Sequence, residues 1–196
     1  MSVILGGLFI IMKVYVATSN RGKYLEIEDI LERERITVMQ KGVAVIEHGK
    51  TLEQRAKSKA QGAYNVIGKP VVADDTGVFF HALNNFPGIH PKKAFDRLGF
   101  EGLFKKLEGI DRSASFRAVL CYFDDGGPRF FKGEMKGKID TRIHMARRDD
   151  LPYERIFIPD KMFRAVSEMS FEEKQLISHR AKAARALAAF LKSGKA

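Results

Sequence analysis

The segment "KVYVATSNRGKYLEIEDILERE", residues 13–34, decides the fold, because a strand pattern changes into a helix pattern within it. Its first part is rich in β-branched and aromatic residues, which is typical of a buried strand. Leu25, Ile27, Ile30 and Leu31 then recur at helical spacing. Small polar residues separate the two patterns, so the segment predicts a strand that leads directly into a helix.

The rest of the chain continues the alternation of strands and helices. Strands are predicted in "RITVMQ", in "KPVVADDTGVFF", which would end in acids and a glycine turn, and in "SFRAVLCYFDDGGPRFFKGEMKGKID", which would form an antiparallel pair around "DDGGP". Helices are predicted in "TLEQRAKSKAQGAYNVIG", with Gly68 as its stop, in "FEGLFKKLEG", and in one final helix "SFEEKQLISHRAKAARALAAFLK", where Ser170 and Glu173 have capping-box spacing. This order predicts an α/β fold with an antiparallel insertion.

Composition and charge limit the class of protein. A chain of 196 residues with 45% hydrophobic and 30% charged residues is typical of one or at most two globular domains. The net charge of +10 indicates an anionic partner, which could be nucleic acid, a membrane surface or a small polyphosphate. The single Cys121 lies in the apolar run "AVLCYF". We interpret it as a core residue in a reducing, cytoplasmic setting, with a reactive thiol as the alternative.

The N-terminal stretch "VILGGLFIIM" is apolar. It is only half as long as the roughly 20 residues that a membrane-spanning helix needs, so no membrane partner is expected. Met12 directly precedes the first strand. Residues 1–11 are therefore interpreted as an N-terminal extension upstream of the real start, and residues 12–196 as a single domain.

The polar residues between the first strand and the first helix predict a phosphate site. A helix N-terminus presents free backbone N–H groups and a partial positive charge, and both favour phosphate. Thr18, Ser19 and Asn20 can add side-chain donors, and Lys23 in the first turn adds a full charge. The alternative is an ordinary helix cap followed by a solvated lysine.

The acids of "VVADDTG" form a second candidate site at the predicted end of a strand. Because adjacent strand residues point to opposite faces, Asp74 and Asp75 are not expected to share a proton. One of them would face the site, where a carboxylate could hold Mg²⁺ or orient a water molecule beside a triphosphate. The alternative is that both acids cap a turn.

A third candidate site lies in "EEKQLISHR". Lys174, Ser178, His179 and Arg180 would lie near one another on the predicted final helix. Such groups are costly on a buried helix unless they meet an anion or a polar ligand. The alternative is a basic helix surface.

Five motifs, "ATSNRGK", "ADDTGVFF", "FPG", "EMSFEEK" and "ISHR", occur in an order that resembles the inosine triphosphate pyrophosphatase family. The resemblance implies an elongated, two-lobed α/β fold, with a mixed sheet flanked by helices and an active-site cleft between the lobes. It also implies hydrolysis of deaminated purine nucleoside triphosphates (ITP, dITP and XTP) to a nucleoside monophosphate and pyrophosphate. The implied cofactor is Mg²⁺, the implied partner is a small nucleoside triphosphate, and the implied assembly is a homodimer.

The resemblance assigns a role to each matching residue. Thr18, Asn20 and Lys23 would bind phosphates, and Asp75 would be the base or water-positioning residue, with Asp74 alongside. Glu47 and Asp75 would hold the metal. The remaining substrate-binding residues implied by the resemblance are Thr76, Gly77, Tyr153, Glu154, Lys174, Ser178, His179 and Arg180.

The chain departs from the family pattern in the part that would read the base. "DLPYERIF" replaces the usual Gly-aromatic-Gly-aromatic-Asp-Pro segment, so Leu151 stands where the family has a base-stacking aromatic, and the usual Glu-Asn of the second helix is Gln54-Arg55. A relaxed or shifted base preference at the same hydrolytic site is therefore an alternative. Another is a basic nucleic-acid-binding protein on a lost enzyme fold, which the acids and Lys23 argue against, so nucleic acid is not the expected partner.

Overall fold

The structure is a computed structural model that describes residues 13–45, 48–145 and 152–194. The strands of the described part are β1 Lys13–Val16, β2 Thr37–Gln40, β3 Val71–Phe80, β4 Phe86–Gly88, β5 Ser113–Asp124, β6 Gly127–Ile139 and β7 Phe157–Pro159. Its α-helices are α1 Arg21–Arg33, α2 Leu52–Ile67, α3 Pro91–Lys106, α4 Phe171–Ile177 and α5 His179–Lys192. The predicted extension, residues 1–11, lies outside the described residues.

The strands form one mixed sheet in the order β2-β1-β3-β5-β6-β7, and β4 pairs with β3 off this path. β1 is parallel to both β2 and β3, while β4 and β7 are antiparallel to their neighbours. The helices α1 and α2 connect the parallel strands, as parallel pairing requires. The predicted α/β class with a mixed sheet flanked by helices is confirmed.

The chain divides into two compact units. The first comprises the described residues of Met1–Asp75, Ala118–Gly133 and His179–Ala196, and the second comprises those of Thr76–Arg117 and Glu134–Ser178. Each unit has its own hydrophobic core. The long strands β3, β5 and β6 each contribute residues to both units.

The core of the first unit forms where α1 and α5 bury their apolar faces. Ile27 and Leu31 of α1 are fully buried, together with Ala184 and Leu187 of α5. Cys121 on β5 is buried beside this core, and burial raises the pKa of its thiol to about 12. The thiol therefore stays protonated at neutral pH, in agreement with its interpretation as a core residue.

The core of the second unit is aromatic. Phe116 and Phe157 stack with their ring centroids 4.3 Å apart, and Tyr153 lies 6.2 Å from Phe80. Offset and tilted aromatic pairs add about 0.5–1.5 kcal/mol each beyond the burial of their area. These contacts hold Tyr153 in place, and with it the short turn Pro152–Arg155 that also contains Glu154.

Several local predictions are confirmed. α1 and α2 occupy the predicted segments, and Gly68 ends α2 in the left-handed conformation. The capping box is present, because the Ser170 hydroxyl accepts from the Glu173 amide at 3.2 Å and the Glu173 carboxylate accepts from the Ser170 amide at 2.8 Å. β5 and β6 are neighbours in the sheet and are joined by two residues, as the predicted pair requires.

Two predictions about element boundaries are wrong. The single final helix is two helices, because Ser178 is extended (φ −62°, ψ 146°) and interrupts the helical hydrogen-bond ladder. β3 does not end at its acids but continues through Gly77 to Phe80, where it pairs with β4. The short helix predicted from Phe100 is present as the second segment of α3, because the non-helical Gly99 (φ 59°, ψ −169°) separates it from the segment that begins at Pro91.

Gly133 on β6 allows the first turn of α5 to approach the sheet. A Cβ atom at this position would lie 2.8 Å from the Ala183 amide nitrogen and closer still to the His179 carbonyl oxygen. We expect Gly133→Ala to lower the free energy of unfolding by about 2 kcal/mol, the usual cost of forcing an extra methyl group into a filled site. Urea unfolding would measure it.

Gly42→Ala is the matched control. A Cβ atom at Gly42 meets nothing within 4 Å. We expect its free energy of unfolding to stay within about 0.5 kcal/mol of the wild-type value. Equal urea midpoints for the two variants would contradict the close approach of α5 to β6.

Candidate active site around the two acids of β3

The N-terminus of α1 is capped by the residues of the predicted phosphate motif. The Asn20 side chain accepts a hydrogen bond from the Lys23 amide at 2.9 Å, and the Thr18 hydroxyl accepts one from the Asn20 amide at 3.2 Å. The predicted helix cap is therefore present. It also places the Lys23 side chain in the first turn, close to the positive end of the helix dipole.

Asp74 lies on the side of β3 that faces α1 and α5. Its carboxylate oxygen Oδ2 is 3.0 Å from Lys23 Nζ and 3.4 Å from Arg180 Nε. Burial alone would raise the pKa of Asp74, but the positive charges of Lys23, Arg180 and Lys59 outweigh burial and hold that pKa well below its usual range. Asp74 is therefore ionised at neutral pH although it is almost completely buried.

Arg180 is fully buried and also binds Glu26 of α1, with 2.7 Å between Nη1 and Oε1. The four side chains Lys23, Asp74, Arg180 and Glu26 thus form one group, which we call the Asp74 network. It contains two positive and two negative charges. Each of its charges lies within 3.4 Å of an opposite charge, so its burial does not leave an uncompensated ion.

Asp75 has different partners from Asp74. Its Oδ2 is 2.9 Å from Arg55 Nε, and its Oδ1 is 2.7 Å from Lys59 Nζ. Arg55 and Lys59 are four residues apart on α2, a spacing that places both side chains on one face of the helix. The expected opposite orientation of the two acids agrees with these separate sets of partners.

Sequence reasoning did not identify Glu26, Arg55 and Lys59 as site residues. Glu26 follows Lys23 by one helical turn, and its only local signal was an acid beside the buried Ile27. The basic pair of α2 lies next to the buried alanines Ala56 and Ala60. Two cations at this spacing beside a buried stripe predict a buried anion, and that signal could have been used.

Thr76 and Gly77 belong to the second unit and continue β3. A Cβ atom at Gly77 would lie 2.7 Å from the carbonyl oxygen of Gly88 on β4. The glycine of the acidic motif is therefore needed for the close approach of two strands. Its predicted contact with substrate stays a prediction.

The second unit contains a buried ion pair between two predicted substrate-binding residues. Lys174 Nζ lies 2.7 Å and 3.0 Å from the two carboxylate oxygens of Glu154. Beside Glu154, the Tyr153 hydroxyl donates to the Pro91 carbonyl oxygen at 3.0 Å, and burial with the charge of Asp96 raises the pKa of Tyr153. A buried pair of this kind offers one strong donor and one strong acceptor to a polar ligand.

The structure distributes the residues of the "ISHR" motif over two elements. Ser178 ends α4, and its amide donates to the Lys174 carbonyl at 2.8 Å. His179 is the first residue of α5 and is almost completely buried, as is Arg180 beside it. Lys174 and Ser178 therefore share the last turn of α4, whereas the predicted placement of His179 and Arg180 on the same helix is wrong.

The fit of this site to a metal ion depends on Asp75. Glu47, the other predicted metal ligand, lies outside the described residues, and the described ranges contain no cluster of three His, Cys, Asp or Glu side chains that could hold an ion. Mg²⁺ usually binds proteins through one or two carboxylates and completes its shell with water and substrate phosphates. A single buried carboxylate fits this chemistry when a polyphosphate supplies the other oxygens.

The described residues thus define an α/β protein with a helix N-terminus and two buried, cation-bound acids at one strand. Within that part of the chain, no helix combines the length and apolarity that a bilayer crossing needs. The sequence model of the Ham1 family matches residues 14–190, and the chain belongs to this family.

Individual relatives agree with this membership. A dITP/XTP pyrophosphatase of Methanopyrus kandleri is 38% identical over 188 residues, which cover 94% of this chain and 99% of that protein. A dITP/XTP pyrophosphatase of Saccharolobus solfataricus is 36% identical and covers 93% of this chain and 95% of its own length. The solved structure of the Staphylococcus aureus Ham1 protein has a TM-score of 0.78 at 30% identity, with 93% of this chain and 99% of that chain covered. The resemblance drawn from the motifs is confirmed.

Removal of the Asp74 charge should destabilise the protein strongly. We expect Asp74→Asn to lower the free energy of unfolding at pH 7 by about 3 kcal/mol, because it leaves a buried network with surplus positive charge. Asp29→Asn is the control, since Asp29 pairs with the exposed Arg33 at 2.8 Å, and we expect a change below about 0.5 kcal/mol. Urea unfolding of both variants would test this, and equal losses would contradict it.

The contribution of Asp74 should depend on pH in a defined direction. Its pKa is lower in the folded protein than in the unfolded chain, so its stabilisation is complete above the unfolded value and disappears as the pH falls towards the folded one. We expect the stability difference between wild type and Asp74→Asn to narrow by about 1 kcal/mol or more between pH 5 and pH 2.5. Unfolding curves at several pH values would measure it, and a constant difference would refute the assignment.

Proposed function

We propose that this chain hydrolyses deaminated purine nucleoside triphosphates, ITP, dITP and XTP, to the nucleoside monophosphate and pyrophosphate. Such an activity removes these nucleotides from the cellular pool. The observation that carries the proposal is the pairing of Lys23, in the first turn of α1, with a buried acid of β3. Membership of the Ham1 family and the names of the relatives from Methanopyrus kandleri and Saccharolobus solfataricus support the same activity.

The residues at the N-terminus of α1 would bind the phosphates. Lys23 supplies a positive charge, and the helix dipole adds a favourable potential at the same end. Because Asp74 holds the Lys23 ammonium group at 3.0 Å, that charge is already positioned before a ligand binds. Preorganised charge of this kind stabilises negative charge on a departing pyrophosphate without reorganisation during the reaction.

Asp75 would position the attacking water and accept its proton as the water adds to the α-phosphorus. The pyrophosphate would leave from the opposite side of that phosphorus, which is the in-line geometry of phosphoryl chemistry. Glu47 and Asp75 would hold Mg²⁺, which supplies charge neutralisation on the phosphate oxygens when it is bound. Asp74 would remain ionised and bound to Lys23 and Arg180 throughout.

Lys174 and Glu154 would read the base, together with Tyr153 and Ser178. His179 and Arg180 belong to the first unit, and their contacts with the base or the phosphates stay predictions of the resemblance. A 6-keto purine presents an acceptor oxygen next to an N–H donor, and the lysine and the carboxylate offer the complementary donor and acceptor. Adenine presents the reverse pattern, and a site built for the first pattern can discriminate by about 10⁴. Guanine shares the 6-keto group, so its rejection requires a contact at the 2-amino group.

A relaxed base preference at the same hydrolytic site is the second candidate. The observation that favours it is a leucine at position 151, where the inosine triphosphate pyrophosphatase family has a base-stacking aromatic residue. Leu151 lies outside the described residues. The charge of +10 favours the nucleic-acid alternative, which the buried acids of β3 oppose. A homodimer and a cytoplasmic location remain expectations drawn from the sequence.

Hydrolysis is tested by pyrophosphate release from ITP, XTP, dITP, ATP and GTP with Mg²⁺. We expect kcat/KM for ITP to exceed that for ATP by about 10⁴. Asp75→Asn should lower kcat for ITP by about 10²–10³, because the variant can still bind nucleotide but cannot accept a proton from the water.

Asp29→Asn, at a partly exposed acid of α1 that pairs with Arg33, controls for the loss of one negative charge. It should hydrolyse ITP at the wild-type rate. Equal cleavage of ATP and ITP would favour the relaxed base preference. Failure to release pyrophosphate from any of the five nucleotides would overturn the proposed function.

A further inference from the structure

Both carboxylate oxygens of Asp75 are bound by cations of the protein itself. Lys59 Nζ binds Oδ1 at 2.7 Å and Arg55 Nε binds Oδ2 at 2.9 Å, so the two cations flank the acid from α2. The side chains of Asp75, Arg55 and Lys59 are only 7%, 16% and 13% exposed. Solvent therefore screens these charges weakly.

The charges around the two acids of β3 are not equivalent. In the Asp74 network, Arg180 binds Glu26 as well as Asp74. Asp75 binds two cations, Arg55 at Oδ2 and Lys59 at Oδ1. A free divalent cation that approaches Asp75 must displace or tolerate two nearby positive charges.

We propose that Arg55 and Lys59 are resident counter-ions that compete with Mg²⁺ for Asp75. The protein then binds free Mg²⁺ weakly and accepts the ion together with a nucleoside triphosphate, whose anionic oxygens take over the two cations. Arg55 is in this sense a positioning residue that sets the order in which metal and nucleotide bind. The inference rests on the proposed function and adds to it a requirement for the metal–nucleotide complex.

The test is a calorimetric titration of the full chain with MgCl₂ alone, at constant ionic strength and without nucleotide. We expect weak binding by the wild type and about tenfold tighter binding by Arg55→Gln, since one positive charge near the carboxylate is lost. Arg55→Lys keeps the charge and should bind Mg²⁺ as weakly as the wild type. Arg33→Gln is the matched control, because it removes the same charge at an exposed site of α1 and should change nothing.

A double variant locates the metal. Arg55→Gln combined with Asp75→Asn should lose the tighter binding, because the carboxylate that gains the ion is then absent. Equal affinity of wild type and Arg55→Gln would overturn the inference, as would a double variant that binds as tightly as Arg55→Gln. Should Arg55→Gln fail to fold, Lys59→Gln carries the same expectation, as it removes the other resident cation.

The pyrophosphate assay separates this inference from the proposed function. If the wild type hydrolyses ITP but Arg55→Gln binds Mg²⁺ no more tightly than the wild type, the inference is overturned and the proposed function stands. A wild-type protein that hydrolyses no nucleotide overturns the proposed function, and with it the ordered binding that rests on that function. The calorimetric comparison then still decides whether Arg55 competes with a cation for Asp75.

Discussion

Two adjacent carboxylates on β3, those of Asp74 and Asp75, impose the constraint on which the rest of the first unit depends. Neighbouring side chains of a strand point to opposite faces, so the two acids are buried in different surroundings. Asp74 binds Lys23 and Arg180, and Asp75 binds Arg55 and Lys59. A buried carboxylate is costly unless it is paired and hydrogen-bonded. One face of the strand therefore needs cations from α1 and α5, and the other needs cations from α2.

On the two faces of β3, the buried carboxylates are bound by cations in different arrangements. Around Asp74, the fully buried Arg180 binds two acids, Asp74 and Glu26. Such an arrangement stabilises the fold and holds Lys23 in place. Around Asp75, Arg55 and Lys59 of α2 occupy the two carboxylate oxygens. We infer that Asp74 has a mainly structural role and that Asp75 is the acid available for chemistry.

Local patterns in the sequence predicted the elements, whereas pairings over long sequence distances were not predictable from them. The β1–α1 passage, the Gly68 end of α2 and the capping box all depend on residues within one or two turns, so they could be predicted. The break at Ser178 was missed because α4 and α5 each satisfy the helical pattern on either side of a single extended residue. The Arg180–Glu26 pair joins residues 154 positions apart, and no local signal indicates it.

The buried cations also bear on the choice between a small polyphosphate and a nucleic acid. Lysines and arginines that bind nucleic acid usually lie on the surface and release only diffuse counter-ions when they meet phosphate. Arg55 and Lys59 would instead have to give up a buried carboxylate, which would then be left without a cation. A magnesium–triphosphate complex would replace both partners, because its oxygens would bind the two cations and its metal would bind the carboxylate. A nucleic-acid backbone brings no comparably placed divalent ion, so the same exchange would leave the buried Asp75 carboxylate without a cation.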